Sequence, residues 1–441
     1  MPRLPRLTAS CALLLLGLIP RVQAQEAPSP TSIDLETKTT LPQLIELARR
    51  DNPRLQAARA LAEARDVSRS WVGVLPDPRI QLGMMNLSLP GFGADMPSSM
   101  APAVQVTQVV PFPGKLGLEG EIAGRTAEMA RADADESWWT IRARVAGAFW
   151  NLYAADRHIE VLGETKGRLE DFELAARALY EAGTGRQTDV LQAQVEVARL
   201  AAEVARARAS RIGAEARLNA LLGRPVGTSV PHPVAEGLPS EHPALDSLRD
   251  WAEAHRPAVA RDRLAVERAE TRADRAGREI WPDLMLGAAY GQRNVAGSVQ
   301  RMASFTVSFQ LPIFAGRRQL RLRDEAASME TMARAELAET RARVDARLGE
   351  LAADLDRTGE LLRLYREEIL PEARMAVESA FASYRVGAVD FRTLVDAQTA
   401  LDRYESEFHA LVADYGDSVA EMEATIGREL PPADPIDPEI P

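Results

Sequence analysis

The stretch Ser304-Phe305-Thr306-Val307-Ser308-Phe309-Gln310-Leu311 decides the fold. Apolar and small polar residues alternate strictly along it. A period of two puts Phe305, Val307, Phe309 and Leu311 on one face of a strand. Upstream, Leu284, Leu286, Ala288 and Tyr290 alternate with Met285, Gly287, Ala289 and Gly291. In the first half of the chain, Ile80, Leu82 and Met84, then Val104 and Val106, repeat the pattern. This predicts strands over about 79–89, 102–111, 283–293 and 302–312. Four strands are too few to close a barrel and would leave two bare edges, which lipid does not tolerate. If the strands enter a membrane, several chains must share one barrel.

Outward from the strands the period changes. Residues 114–224 contain no proline. Ile141, Val145, Ala148, Leu152, Ala155, Ile159 and Leu162 recur in steps of four and three. So do Val344, Leu348, Leu351, Leu355, Thr358, Leu362, Tyr365 and Ile369, and then Leu394, Ala397, Leu401, Tyr404, Phe408, Leu411, Tyr415, Ser418 and Met422. Such spacing marks coiled-coil packing. Long helices are predicted over about 114–182, 187–222, 316–385 and 390–427. At 1.5 Å per residue the first would be about 100 Å long. Gly167 and Pro371, at matching positions, are candidate bends.

The chain reads as one unit written twice. Tyr180-Glu181-Ala182-Gly183 recurs as Tyr384-Arg385-Val386-Gly387, 204 residues on. Ala220 to Arg224 recurs as Ala424 to Arg428, and Asn52-Pro53 as Arg256-Pro257, at the same offset. Each half is expected to hold a short helix, two strands and two long helices: residues 25–224 and 244–430, joined by a proline-rich linker at 225–243. The proline-rich, acidic tail at 431–441 is expected to be disordered.

Arg3 and Arg6, the apolar run Leu7–Ile19 and Val22-Gln23-Ala24 have the pattern of a secretory signal peptide at residues 1–24. The single cysteine, Cys11, lies inside it, so cysteine chemistry is excluded from the mature chain. With 53 basic and 64 acidic residues, the chain is a poor partner for nucleic acid. No other run is long and apolar enough for a membrane helix.

These features together resemble the TolC-like outer-membrane efflux family. Leu41-Pro42-Gln43-Leu44-Ile45-Glu46-Leu47-Ala48 with Asn52-Pro53 is similar to that family's first helix. Tyr384-Arg385-Val386-Gly387, Asp390-Phe391 and Leu394-Val395-Asp396-Ala397-Gln398 resemble its most recognisable motif. The resemblance covers nearly all of the mature sequence. It implies a mixed α and β, internally duplicated fold: a homotrimer with a 12-stranded membrane β-barrel and a long periplasmic α-barrel. It also implies outer-membrane lipid around the strands, a periplasmic adaptor (membrane fusion) protein, and an inner-membrane pump of the RND type. Leu75-Pro76-Asp77-Pro78 and Pro111-Phe112-Pro113-Gly114-Lys115-Leu116 look like the heavy-metal branch, CzcC-like and CusC-like. A duct for drugs or other organic compounds is the alternative within the same fold. A passive porin would lack the long helices, and a periplasmic adaptor would lack the strands.

No catalytic constellation, cofactor motif or metal site is read from the sequence. His158, His232, His242, His255 and His409 are scattered. Gly183-Thr184-Gly185-Arg186 lacks the Gly-Lys-Ser/Thr ending of a phosphate loop and is expected to be a helix-to-helix turn. Met84, Met85, Met96 and Met100 would suit copper(I), but packing is the reading favoured for them. Two turns are expected to dock the adaptor: Gly183, Thr184 and Gly185 in the first half, Gly387 and Ala388 in the second. By resemblance, Asp189, Tyr384 and Asp396 fall at a periplasmic gate. Val389 and Thr393 stand where that family has an arginine partner and a second acid. The alternative for Asp189 is a helix cap, and for Asp396 a solvated helix face.

Overall fold

A computed structural model of the chain describes residues 38–85, 100–235, 237–295, 298–431 and 435–436. The expected signal peptide and Met96 lie outside the described residues. In chain order the elements are β1 (Lys38–Thr39), α1 (Leu41–Asp51), α2 (Pro53–Trp71), β2 (Arg79–Met85), β3 (Met100–Val110), α3 (Lys115–Glu181) and α4 (Gln187–Leu221). Then come β4 (His232–Pro233), β5 (Leu238–Pro239), α5 (Leu245–His255), α6 (Pro257–Arg278), β6 (Leu284–Val295), β7 (Ser298–Phe309), α7 (Gln319–Leu364), α8 (Leu370–Arg385), α9 (Phe391–Ile426) and β8 (Pro435–Ile436). Each half opens on two helices rather than the single short one expected, because Pro53 and Pro257 each start a new helix after an extended residue.

The four long strands form one antiparallel sheet in the order β2-β3-β6-β7. Its register aligns Ile80 with Val106, Val106 with Ala288, and Ala288 with Phe305. Leu82, Val104 and Tyr290 follow in a second row, and Leu286 with Val307 in a third. One face is therefore largely apolar, interrupted by Gln108 beside Leu286 and by Gln292 with Arg301, and it is open: Leu82 is 77 % exposed and Phe305 84 %. The other face carries Gln81, Gln105, Thr107, Gly287, Thr306 and Ser308. Among the described residues both edges, β2 and β7, are unpaired.

The helices continue this order. In the part next to the sheet, α2 packs on α3, α3 on α6, and α6 on α7, as a single layer. Lys115 anchors the junction: its buried ammonium holds Asp283 Oδ1 and the Trp281 carbonyl, each at 2.9 Å. Phe112 stacks on Trp281 with ring centroids 5.3 Å apart. Phe112 and Lys115 belong to the Pro111–Leu116 motif, and Trp281 and Asp283 flank Pro282 just before β6.

Helix α3 is continuous for 67 residues, Gly167 included. The second half differs. Tyr365–Ile369 form a π-turn one residue before the Leu370-Pro371 start of α8. A proline lacks the N–H an α-helix needs, and the extra residue of a π-turn is a common way to absorb that defect. The buried seam Leu348, Leu355, Leu362 and Tyr365 consequently continues at Leu370, not at Ile369.

The seam of α9 also departs from expectation. Leu394, Leu401, Phe408, Tyr415 and Met422 are buried as foreseen, but their partners are Gln398, Glu405 and Val412, not Ala397, Tyr404 and Leu411. Away from the sheet, α3, α4, α8 and α9 share a core of Leu162, Leu169, Phe172, Leu200, Val377 and Leu394, among others. No helix among the described residues is long and apolar enough to cross a membrane. Residues Pro435–Ile436, in the tail expected to be disordered, pair antiparallel with Leu238–Pro239 of the linker.

Candidate functional site

The end of the helical part farthest along the chain from the sheet is made by two turns. In the first, Gly183 has φ 74° and the N–H groups of Thr184 and Gly185 both donate to the Leu179 carbonyl, at 3.0 and 2.8 Å. A β-carbon on Gly185 would lie 2.8 Å from Leu179 Cβ, so that glycine is required by space. In the second, Gly387 has φ 74° and the Ala388 N–H donates to the Ser383 carbonyl at 2.9 Å. Nothing lies within 4 Å of a β-carbon at Gly183 or Gly387, so there the requirement is the left-handed backbone alone. Gly183-Thr184-Gly185-Arg186 is thus the expected inter-helix turn.

Between these turns Tyr384, at the end of α8, donates to Asp189 Oδ2, in the first turn of α4, at 3.2 Å. Tyr384 is buried and meets Phe391 edge-on at 5.4 Å. Burial, with the Asp189 carboxylate beside it, pushes the phenol up to about 12, so it stays a neutral donor. Asp189 does not cap its helix; Arg186 occupies that position and the aspartate side chain crosses to the other hairpin. Asp390 is the cap in the second half, accepting from the Thr393 N–H at 2.9 Å and hydroxyl at 2.7 Å. Val389 packs against the apolar core.

Asp396 stands apart from this bond. It is exposed, lies 3.7 Å from Arg392 one turn away, and lines a groove of about 370 Å³ with Leu191, Gln192, Val195 and Glu196. Two of the three expected gate residues are therefore joined, and the third faces a different surface.

A second polar cluster was not read from the sequence. Glu405 is buried in the α9 seam, 3.7 Å from Arg168 and 3.3 Å from Arg374. Burial raises its carboxyl above the usual range, the two arginines opposing that shift and Glu164 adding to it. Two helical turns from it, Gln398 is buried with neither amide atom paired among the described residues. An acid and an amide in phase with Leu394 and Leu401 were the available signal.

The histidines are dispersed: His158 meets Ser406, His232 meets Asp156, His242 meets Asp356 and His409 meets Tyr153. Burial pushes His409 down to about 4. Among the described residues no three His, Cys, Asp or Glu side chains gather as metal ligands. Met84 is exposed, at an irregularity in the β2–β3 register.

A sheet with an open apolar face, continued by a layer of helices and closed off by two hairpin tips, defines a subunit of an outer-membrane channel. The chain belongs to the outer membrane efflux protein family, whose model matches residues 44–224 and again residues 248–428, at the same 204-residue offset. It is therefore an outer-membrane efflux channel component of the kind that serves tripartite systems. Its fold is similar to that of CusC, described for transmembrane channel formation (TM-score 0.75, 15 % identity, 88 % of this chain and 92 % of that one). It is similar to VceC from Vibrio cholerae (0.74, 17 %, 88 % and 96 %) and to the open state of MtrE from Neisseria gonorrhoeae (0.72, 18 %, 88 % and 89 %). No curated protein matches the chain.

Proposed function

We propose that three copies of the chain close one 12-stranded barrel and one helical tube, forming the exit duct of a tripartite exporter. The observation that carries this is the four-stranded sheet with one apolar face and two bare edges. Lipid requires the edges to be paired, and barrels begin at about eight strands. In this reading a periplasmic adaptor docks on the turns at Gly183-Thr184-Gly185 and Gly387-Ala388, and an inner-membrane pump of the RND type feeds the duct. The bond from Tyr384 to Asp189 holds the two hairpins together at the closed end, and Asp396 contributes charge near the entrance. Heavy-metal cations are the cargo suggested by Leu75–Pro78 and Pro111–Leu116, although Lys115 and Phe112 have a structural task at the sheet–helix junction. The mass of the detergent-solubilised protein tests the assembly: a trimer is expected, and a stable monomer inserted in lipid would overturn it. Deletion of the gene followed by growth on metal salts and on drugs tests the cargo.

A further inference from the structure

A cavity of about 650 Å³ is lined by one face of each of four helices: α2, α3, α6 and α7. The extensive contacts among these helices follow that order, as a single layer. A hollow that touches both end helices of such a layer must lie on its concave side. In the duct reading, on which this inference rests, the concave side is the channel wall.

The lining has two halves. Ile122, Met329 and Met332 make an apolar part. Arg65, Arg268 and Arg272 make a cationic part, and none of the three has an ion pair or side-chain hydrogen bond among the described residues. Arg268 Nε is shut off from solvent with no partner. Four glutamates also line the cavity, and two of them are already occupied. Glu119 and Glu279 are taken by Arg275, at 2.6 and 3.2 Å. Glu325 and Glu336 are exposed on α7, without an ion pair among the described residues and one turn from Met329 and Met332, and neither is among the charges that weigh on Arg268. Burial lowers the affinity of the Arg268 guanidinium for its proton, and the only charge that weighs on it is the like charge of Arg272. Arg268 and Arg272 are one turn apart on α6, a spacing at which like charges destabilise a helix. Folding therefore gains nothing from the pair, and an anion would complete it.

We propose that this cavity is a wall site for an amphipathic organic anion in transit, a carboxylate or sulfonate with an apolar body. The head group meets Arg65, Arg268 and Arg272, and the body lies against Ile122, Met329 and Met332. A bare metal cation is disfavoured at the arginine end alone, since Glu325 and Glu336 carry the opposite charge beside the methionines.

Equilibrium dialysis of the purified full chain against octanesulfonate, with octyltrimethylammonium as the charge-reversed probe, tests the site. Saturable binding of the sulfonate alone is expected. Arg268→Gln with Arg272→Gln should weaken it about tenfold or more, and Glu325→Gln should strengthen it. Equal uptake of both probes, a double variant that binds like the original, or weaker binding after Glu325→Gln would overturn the proposal. Conductance of the chain in planar bilayers separates the two readings. Sulfonate binding without conductance would overturn the duct and leave the site standing; conductance without sulfonate binding would overturn the site alone.

Discussion

The two halves keep the same backbone with different side chains. Gly223 and Gly427 are at equivalent positions, with φ 67° and 71°, and a β-carbon would lie 2.7 Å from the Asp51 carbonyl oxygen in one and 2.6 Å from that of His255 in the other. Beside them, Asn52 donates to the Leu221 carbonyl at 2.7 Å and Arg256 to the Thr425 carbonyl at 2.9 Å. An amide and a guanidinium do one task because both donate to an unsatisfied helix-end carbonyl. The tip has diverged further: Asp189 reaches Tyr384, whereas Thr393, its counterpart, is held by its own helix cap. Tyr384→Phe should remove the cross-hairpin bond at a cost of about 1 kcal/mol and raise the open probability of the reconstituted channel; unchanged gating would take Tyr384 out of the latch. Gly183→Leu and Gly387→Leu should each cost about 1–2 kcal/mol for the left-handed backbone. The trimer should still form on gels while export in cells is lost. Export surviving both changes would place docking elsewhere.

At the scale of elements, each strand has two faces with opposite tolerances. Phe305 is on the open apolar face and Thr306 on the polar one, paired with Gly287. Phe305→Arg is expected to cost about 2–4 kcal/mol near the middle of a bilayer and to abolish heat-resistant oligomers, while Thr306→Arg should leave them. Equal damage from both would mean that the sheet is not a membrane wall. Helix α9 carries its own conflict, a carboxyl in an apolar seam. Because the folded state raises the Glu405 pKa above its unfolded value, its stabilising contribution is present at low pH and is lost as pH rises through the folded pKa. Stability measured by thermal unfolding should therefore show a flatter pH dependence in Glu405→Gln. An unaltered dependence would assign the titration to Asp402 or Asp417, whose carboxyls burial also raises.

At the scale of the whole molecule, sheet order and helix order coincide: β2-β3-β6-β7 above, α2-α3-α6-α7 below. One layer thus passes from strands to helices without a change of neighbours, which would let a barrel and a tube share an axis if three copies join as proposed. Threefold repetition would turn each exposed Asp396 into a ring of like charge, which favours cations. In single-channel recordings Asp396→Asn should lower cation selectivity. Unchanged selectivity would leave Asp396 on the outer surface of the α4–α9 groove.

The amino-acid sequence alone determined the element types, the duplication and the tip turns. A period of two, a period of three and four, a repeated offset and a glycine with positive φ are local properties, legible wherever they occur. The same local logic misplaced the α9 seam, because it prefers Ala397 and Tyr404 to Gln398 and Glu405. Which neighbour turns inward depends on whether another helix brings Arg168 and Arg374 to meet the acid, and that is a tertiary fact. The meeting of Asp189 with Tyr384, 195 residues apart, and the convergence of Arg65 with Arg268 and Arg272 have the same origin. Charged side chains carry no period that points across the chain; only the packing of α2 through α9 decided which of them would be left facing one another.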